Sequence, residues 1–478
     1  MTMNRILRLG VAPFAAALLL TLNACTTVGP DYHVPAGAAI NNPAAAGNFK
    51  EGNEAPYTSA PLPPHWWRLY QDPVLDGLIA KAFEANTDLR VAAANLARAN
   101  AVQSQFEDAS KPVVGFSAEP AYGKPSAVAM GIGEKIPNTW MYDAGMKVSY
   151  QVDLFGKISR SIEASRADTE ASQAALDLTR VTIAAATANA YADICSAGQE
   201  LATAKKSVEI QQEFVQSTED RVRSGRGTAF DTSRVKSQLE QLKAALPPLV
   251  AQQKIAQYRL AALLGGLPGS VPDDIAQCTK TLKISAPIPT GDGAALLKRR
   301  PDVRQAERRL AASTARIGVA TADLYPSISL GLSAGSTGEL TQFGAENAAR
   351  WSIGPLISWT IPSTGTARSR IAQAQAGTDA ELARFDGTVL NALRETESAL
   401  VLYARELDRN AALQAARDQS ELAAQQARTL YRFGRTDFLT ALDADRTLAS
   451  QESVLAASNA KLANDQIALF LSLGGGWE

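Results

Sequence analysis

The sequence holds only two histidines, His33 and His65, and three cysteines, Cys25, Cys195 and Cys278, in 478 residues. Both histidines lie in Pro-rich N-terminal sequence, which argues against a histidine-based catalytic or zinc site. Beyond the extreme N-terminus no run is apolar enough for a transmembrane helix, so any membrane-spanning part must be strands. The charges nearly cancel, 47 Lys and Arg against 48 Asp and Glu. The basic residues are scattered, so the footprint expected for nucleic-acid binding is missing. There is no nucleophile elbow, no phosphate-binding glycine loop and no metal-ligand cluster. No cofactor is expected, and an enzyme is the least favoured class.

What is present begins with an address. Arg5 and Arg8 precede an apolar run from Leu9 to Leu22, the pattern of a secretory signal peptide over 1–24. It ends Leu22-Asn23-Ala24-Cys25, which resembles a bacterial lipobox: cleavage before Cys25 and acylation of its thiol are expected, with an ordinary signal peptide as the plainer alternative. Thr26 follows, whereas Asp there commonly retains lipoproteins in the inner membrane, so a lipid anchor in the outer membrane is favoured. Each buried methylene of such an anchor contributes about 0.8 kcal/mol.

Two stretches alternate with a period of two. From Trp140 to Leu154 the even positions are apolar, and the odd ones, Met141 apart, are polar or small. Trp351, Ile353, Ile357, Trp359 and Ile361 repeat the pattern. Each follows another candidate, giving strands at 112–123 and 139–154, then at 326–336 and 350–361. The rest of the chain is read as mainly helical. Four amphipathic strands on a helical body point to a channel rather than an enzyme.

The plan is written twice. Asp88-Leu89-Arg90 matches Asp302-Val303-Arg304, Lys111-Pro112 matches Tyr325-Pro326, and Arg223-Ser224-Gly225-Arg226-Gly227-Thr228 has a counterpart in Arg432-Phe433-Gly434-Arg435-Thr436. After a segment over 25–71, one repeat spans 72–264 and the second 294–473, with a tail at 474–478. Each reads helix, strand, loop, strand, long helix, tight turn, helix. Lys157 to Val222 contains no proline, so one helix there would be about 100 Å long at 1.5 Å per residue. Ala367 to Arg432 repeats it. The helices are to turn at tips 223–228 and 432–437 and return over Ala229–Leu264 and Asp437–Leu473. Gly225 and Gly434 read as helix C-caps, and a docking role for the tips with Arg223, Arg435 and Thr436 is the additional expectation.

The connector 265–293 is rich in Pro and Gly and is to hold only short elements. Helical rise places Cys195 about 40 Å from the tip and Leu264 about 50 Å from it, so Cys278 falls level with Cys195. A disulfide between them is the expectation, with one buried and one exposed free thiol as the alternative.

Four strands cannot close a barrel, and open edges are not tolerated in lipid. Single-chain bacterial barrels start at eight strands. Three copies would supply twelve, with twelve helices below. Trp140, Tyr142, Trp351 and Trp359 are then placed at lipid headgroups as aromatic girdles. The alternative, a periplasmic sandwich, normally carries many more strands.

At this point the chain resembles the outer membrane factors of tripartite efflux and secretion systems, the TolC-like channels, and within them the lipoproteins called NodT-type. The resemblance rests on Val28-Gly29-Pro30-Asp31-Tyr32, Trp66-Trp67 with Asp72-Pro73-Val74-Leu75, Asn86-Thr87-Asp88-Leu89, Asp153-Leu154-Phe155-Gly156-Lys157 and Arg299-Arg300-Pro301-Asp302-Val303. It implies a homotrimer with a twelve-stranded β-barrel in the outer membrane and a twelve-helix α-barrel below. It also implies a periplasmic adaptor and an inner-membrane pump of the RND or another class. The channel itself does no chemistry; it passes drugs or other small molecules outward. Secretion of a protein, peptide, metal or signal molecule is the alternative cargo. A purely structural trimeric lipoprotein is less favoured, because it needs no gate motif.

The same resemblance places a periplasmic gate in Gly434 to Ala444. Asp443 falls on a gating aspartate, Leu439 lies one turn before it on the same face, and Thr440 stands where some relatives carry a second aspartate. Three Asp443 copies about a narrow axis would repel one another unless hydrated or cation-bound, and such a ring favours cations. A solvated helix residue is the plainer reading. Where relatives carry an aromatic-Asp-Gly-Gly turn, this chain has Pro362-Ser363-Thr364-Gly365.

Overall fold

Helix starts carry the clearest local logic in the computed structural model, which describes residues 27–52, 55–124, 126, 128, 131, 133, 136–284, 286–359 and 364–476. The signal segment, Cys25, the strand end at Thr360 and Ile361, and Pro362-Ser363 lie outside those residues. Helix α1 (Pro73–Ala85) begins at Asp72, whose carboxylate accepts the amides of Val74 and Leu75 at 2.9 and 3.4 Å. Asn86 caps α2 (Thr87–Asp108) in the same way. Helix α3 runs unbroken over Lys157–Arg223, its start held by Asp153, which accepts the amides of Ile158 and Ser159 at 2.9 and 2.8 Å.

The return stroke departs from the sequence reading. One helix was expected over 229–264, but α4 (Ala229–Ala244) and α5 (Leu246–Leu263) are separate. The cause is Pro247-Pro248, which supplies no amide to the carbonyls a turn earlier. The connector holds a one-turn helix, Asp273–Ala276, and a two-residue strand, Ile288–Pro289, paired in parallel with Tyr57–Thr58. Helices α6 (Gly293–Arg299) and α7 (Pro301–Ala322) follow. Helix α8 covers Thr364–Arg432 and α9 covers Phe438–Ser472. Gly365, read as a turn residue, lies in the first turn of α8.

Four strands make one antiparallel sheet in chain order: β1 (Val113–Gly123), β2 (Thr139–Val152), β3 (Ser327–Glu339) and β4 (Ala349–Ser358). The central pairing, β2 with β3, joins the two repeats. Phe116, Met146, Ala334 and Trp351 stand in one row across all four strands. Strand β3 continues through Thr337 to Glu339, three residues past its expected end.

The chain divides into two compact units, Met1–Pro35 with Leu96–Ser172 and Ala306–Phe385, and Ala36–Asn95 with Gln173–Gln305 and Asp386–Glu478. The sheet belongs to the first. The second buries Trp66, Leu75, Ile79, Ile194, Leu260, Leu296 and Phe470 almost completely, and Trp66 stacks on Phe470 with centroids 4.7 Å apart. Cys195 and Cys278 are joined as a disulfide in this unit. Gly198, one turn along α3, is required there, because a Cβ at that position would meet the Cys278 carbonyl oxygen at 2.1 Å.

Candidate functional site

Register turns the alternation into two chemically different faces. Val114, Phe116, Met146, Val148, Leu330, Leu332, Trp351, Ile353 and Ile357 share one face. The other face is mainly small and polar, with Gly115, Ser117, Gly145, Lys147, Ser149, Ser329, Gly331, Ser333, Gly335, Ser352 and Gly354, and carries Val113, Met141 and Leu356 as its apolar exceptions. On it Asp143 pairs with Arg350, and the Ser333 and Ser352 hydroxyls are 2.8 Å apart. Gly335 is needed for close approach, since a Cβ there would meet the Ala144 carbonyl oxygen at 2.5 Å. Strands β1 and β4 are exposed along nearly their whole length, so both edges of the sheet are open in a single chain.

Three of the four aromatics read as girdle residues present their rings outward: Trp140, Trp351 and Trp359 are 54%, 77% and 55% exposed. Tyr142 does not. It is 5% exposed, covered by Phe343 with ring centroids 5.0 Å apart, and its hydroxyl lies 2.6 Å from Ser336 Oγ. The loop after β3 folds back over this end of the apolar face, which the alternation pattern carries no sign of.

The two hairpin tips have one design. Gly225 and Gly434 adopt φ of +72° and +70°. In the first tip the amides of Arg226 and Gly225 return to the carbonyls of Arg221 and Val222; in the second, those of Arg435 and Gly434 return to Leu430 and Tyr431. Both are Schellman caps, and the left-handed residue suits glycine. The following helices start with one exchange of partners. Thr228 caps α4 in a reciprocal box with Asp231, whereas Asp437 caps α9 and bonds the amide and hydroxyl of Thr440 at 2.8 and 3.0 Å. Those bonds hold the Asp437 carboxyl below its ordinary value. Thr440 is therefore engaged in a cap.

Asp443 and Leu439 are exposed one turn apart on α9, and Asp443 has no ion pair among the described residues. Thr436, just before the start of α9, is half-buried. Arg223 pairs with Asp220 on its own helix, and Arg435 is exposed with no ion pair among the described residues.

Near the tips Arg221 links the two hairpins: its Nη1 donates to the Tyr431 carbonyl at 2.8 Å while its guanidinium covers the Tyr431 ring at 4.2 Å. Beneath it Phe214, Tyr431 and Phe438 pack with Val235, Leu239 and Leu442 into one buried cluster. Two more polar links carry no sequence signal: Arg428 Nε to Asp445 Oδ1 at 2.6 Å within the second hairpin, and Arg446 Nε to Gln238 Oε1 at 2.7 Å between the two hairpins. The available signal was the three aromatics, standing near the tips of helices otherwise poor in them.

An amphipathic open-edged sheet joined to paired helical hairpins defines the subunit of a TolC-like channel. The chain belongs to the outer membrane efflux protein family, whose model matches residues 78–266 and 294–475. Its fold matches that of the outer-membrane channel OprN, with a TM-score of 0.88 and 38% identity over 95% of this chain and all of that one. Nodulation protein T of Rhizobium leguminosarum bv. trifolii is 27% identical over 465 residues, 96% of each chain. The cation efflux system protein CusC of Escherichia coli O157:H7 is 27% identical over 476 residues, 98% of each.

Proposed function

We propose that three copies of this chain close their sheets edge to edge into a twelve-stranded outer-membrane barrel, anchored by an acylated Cys25, that conducts small molecules out of the cell. The observation that carries this reading is the sheet itself. An apolar face backed by a Gly- and Ser-rich polar face, with both edges unpaired, suits a barrel wall between lipid and water and suits little else. Because β1 and β4 are the first and last of four antiparallel strands, β4 of one copy meets β1 of the next in antiparallel sense, so the ring closes without breaking the pattern.

The hairpin tips are proposed to form the opposite, periplasmic end and to receive an adaptor protein that links the duct to an inner-membrane pump of the RND or a related class. Asp443 and Leu439 form the constriction, for which their shared exposed face is the support. Small molecules are the proposed cargo, in keeping with relatives named for cation and toluene efflux. The test is single-channel recording in planar bilayers: Asp443→Ala raises conductance if three copies of this carboxylate ring the narrowest point. Unchanged conductance and unchanged cation preference would remove Asp443 from the gate.

A further inference from the structure

Val28 to Asp31 is gripped by the first unit through contacts that a simple tether would not need. Arg160, in the first turn of α3, has only 5% of its side chain exposed. Its Nε donates to the Val28 carbonyl at 3.1 Å, its Nη2 to the Gly29 carbonyl at 3.2 Å and to Asp31 Oδ1 at 2.7 Å, and its Nη1 to Glu163 Oε2 at 2.7 Å. The Val28 amide donates in turn to the Phe155 carbonyl at 3.2 Å. A guanidinium is buried at tolerable cost only when its donors are satisfied. Three of these four acceptors come from Val28–Asp31, so burial of Arg160 requires the segment in place.

Shape enforces the same position. Gly29 has φ +90°, and a Cβ on it would meet Gly318 Cα at 2.4 Å. A Cβ on Gly318 would meet Arg160 Cγ at 2.8 Å and the Val28 carbonyl oxygen at 2.9 Å. On the other flank Gly156, with φ +75°, leaves room for Thr27, whose Cγ2 would lie 2.3 Å from a Cβ there. Three glycines from separate parts of the chain thus leave one backbone-wide slot, with Arg160 at its floor.

Cys25 precedes Val28 by three peptide units, a reach of at most about 11 Å. We infer that Arg160, Gly156 and Gly318 form a socket for the mature N-terminus, which Gly29 allows to seat, fixing where the acyl chains on Cys25 enter the leaflet beside the β2–α3 junction. This inference rests on the proposed acylation of Cys25. Arg160 is a positioning residue: it acts on the anchor through Val28–Asp31. The anchor is thereby a strut of fixed reach that sets the height of the sheet in the bilayer, in contrast to a flexible linker, whose end distance fluctuates.

The test places a nitroxide on Pro30→Cys, an exposed position inside the gripped segment, in the full-length acylated protein in phosphatidylethanolamine–phosphatidylglycerol vesicles. The spectrum is immobilised in this background and remains so when Cys25→Ser removes the acyl chains. Arg160→Gln and Gly29→Ala each shorten the correlation time several-fold, and Asp31→Asn, which removes no buried group, shortens it less. Retention of the Cys195–Cys278 bridge in each variant reports that the chain has folded, and Asp31→Asn keeps the experiment decisive if Arg160→Gln fails that control. Immobile spectra in folded Arg160→Gln, Gly29→Ala and Asp31→Asn would overturn the inference, as would mobilisation by Cys25→Ser alone. Channel conductance measured on the same samples separates the two readings, because the socket can hold in a protein that does not conduct.

Discussion

Asn86 and Arg300 stand at the same point of the two repeats and make the same contact: Asn86 Nδ2 donates to the Leu263 carbonyl at 3.1 Å, and Arg300 Nη1 donates to the Ser472 carbonyl at 2.8 Å. In each case the residue that opens a helix bonds the last turn of the returning helix, just before a left-handed glycine, Gly265 or Gly474. The duplication read from short sequence matches is therefore a duplication of contacts.

Arg300 carries more than its counterpart, because it also pairs with Asp302 and Glu395 at 2.7 and 3.0 Å while only 10% exposed. Its positive charge sits at the carbonyl end of α9, where it offsets the helix dipole. Arg300→Ala leaves a carbonyl and two carboxylates short of a partner. Since both carboxylates are partly solvated, the expected loss is about 1–3 kcal/mol. Asn86→Ala should cost about 1 kcal/mol. Thermal unfolding of the two variants in detergent checks the order, and equal losses would count against it.

At the tips, Gly225→Ala and Gly434→Ala test backbone strain without a steric complication, since a Cβ at either position meets nothing within 4 Å. Each should cost about 1–2 kcal/mol, the penalty of a left-handed alanine. Faster amide exchange is expected in the flanking turns, read by mass spectrometry. Unchanged exchange would mean the tips are already frayed.

The aromatic cluster at the tips is an apolar link between the hairpins. Phe214 is buried, stacked on Phe438 at 5.9 Å and edge-on to Tyr431 at 5.6 Å. Phe214→Ala should destabilise this end by about 3–5 kcal/mol, whereas Phe433→Ala, at an exposed position, should have little effect. Limited proteolysis near residues 223–228 and 432–437 distinguishes them: cleavage accelerates in the first variant alone.

Asp445 gives the tips a pH dependence. Burial raises its carboxyl above the ordinary value, and the nearby Arg428 opposes this without cancelling it. The folded protein therefore keeps a proton that the unfolded chain has lost. The stabilisation this confers is present in acid and is lost as pH rises from about 4 through the elevated value. Asp437, held low, behaves oppositely: its contribution is present above about 4 and disappears below it. Asp445→Asn should flatten the melting-temperature profile just above pH 4 and leave the acid limb intact; an unchanged profile there would contradict the assignment.

Much of the architecture was legible because it rests on periodicity and on chain breakers. The sheet followed from an alternation that fixes register, and the long helices from uninterrupted runs without proline. The break before Pro247-Pro248 carries an equally local signal, two adjacent residues without an amide hydrogen, inside a run whose length alone suggests one helix. Tyr142 could not be read, because its burial depends on Phe343, two hundred residues away. The tips were half legible: glycine caps carry a local signature, but Arg221, Arg428 and Asp445 look like any charged helix residues until α3, α4, α8 and α9 meet.

The claim that function resides in a closed ring of three copies is tested most directly at the open edges. Ser117→Cys on β1 and Ser352→Cys on β4 share the polar face and lie on the two edge strands, whose outer sides are unpaired in the single chain. Treated together in native membranes with a bifunctional thiol reagent, they should yield covalent dimers and trimers and nothing larger, with either single variant giving no ladder. A product confined to monomers, or a ladder continuing past three chains, would contradict the account.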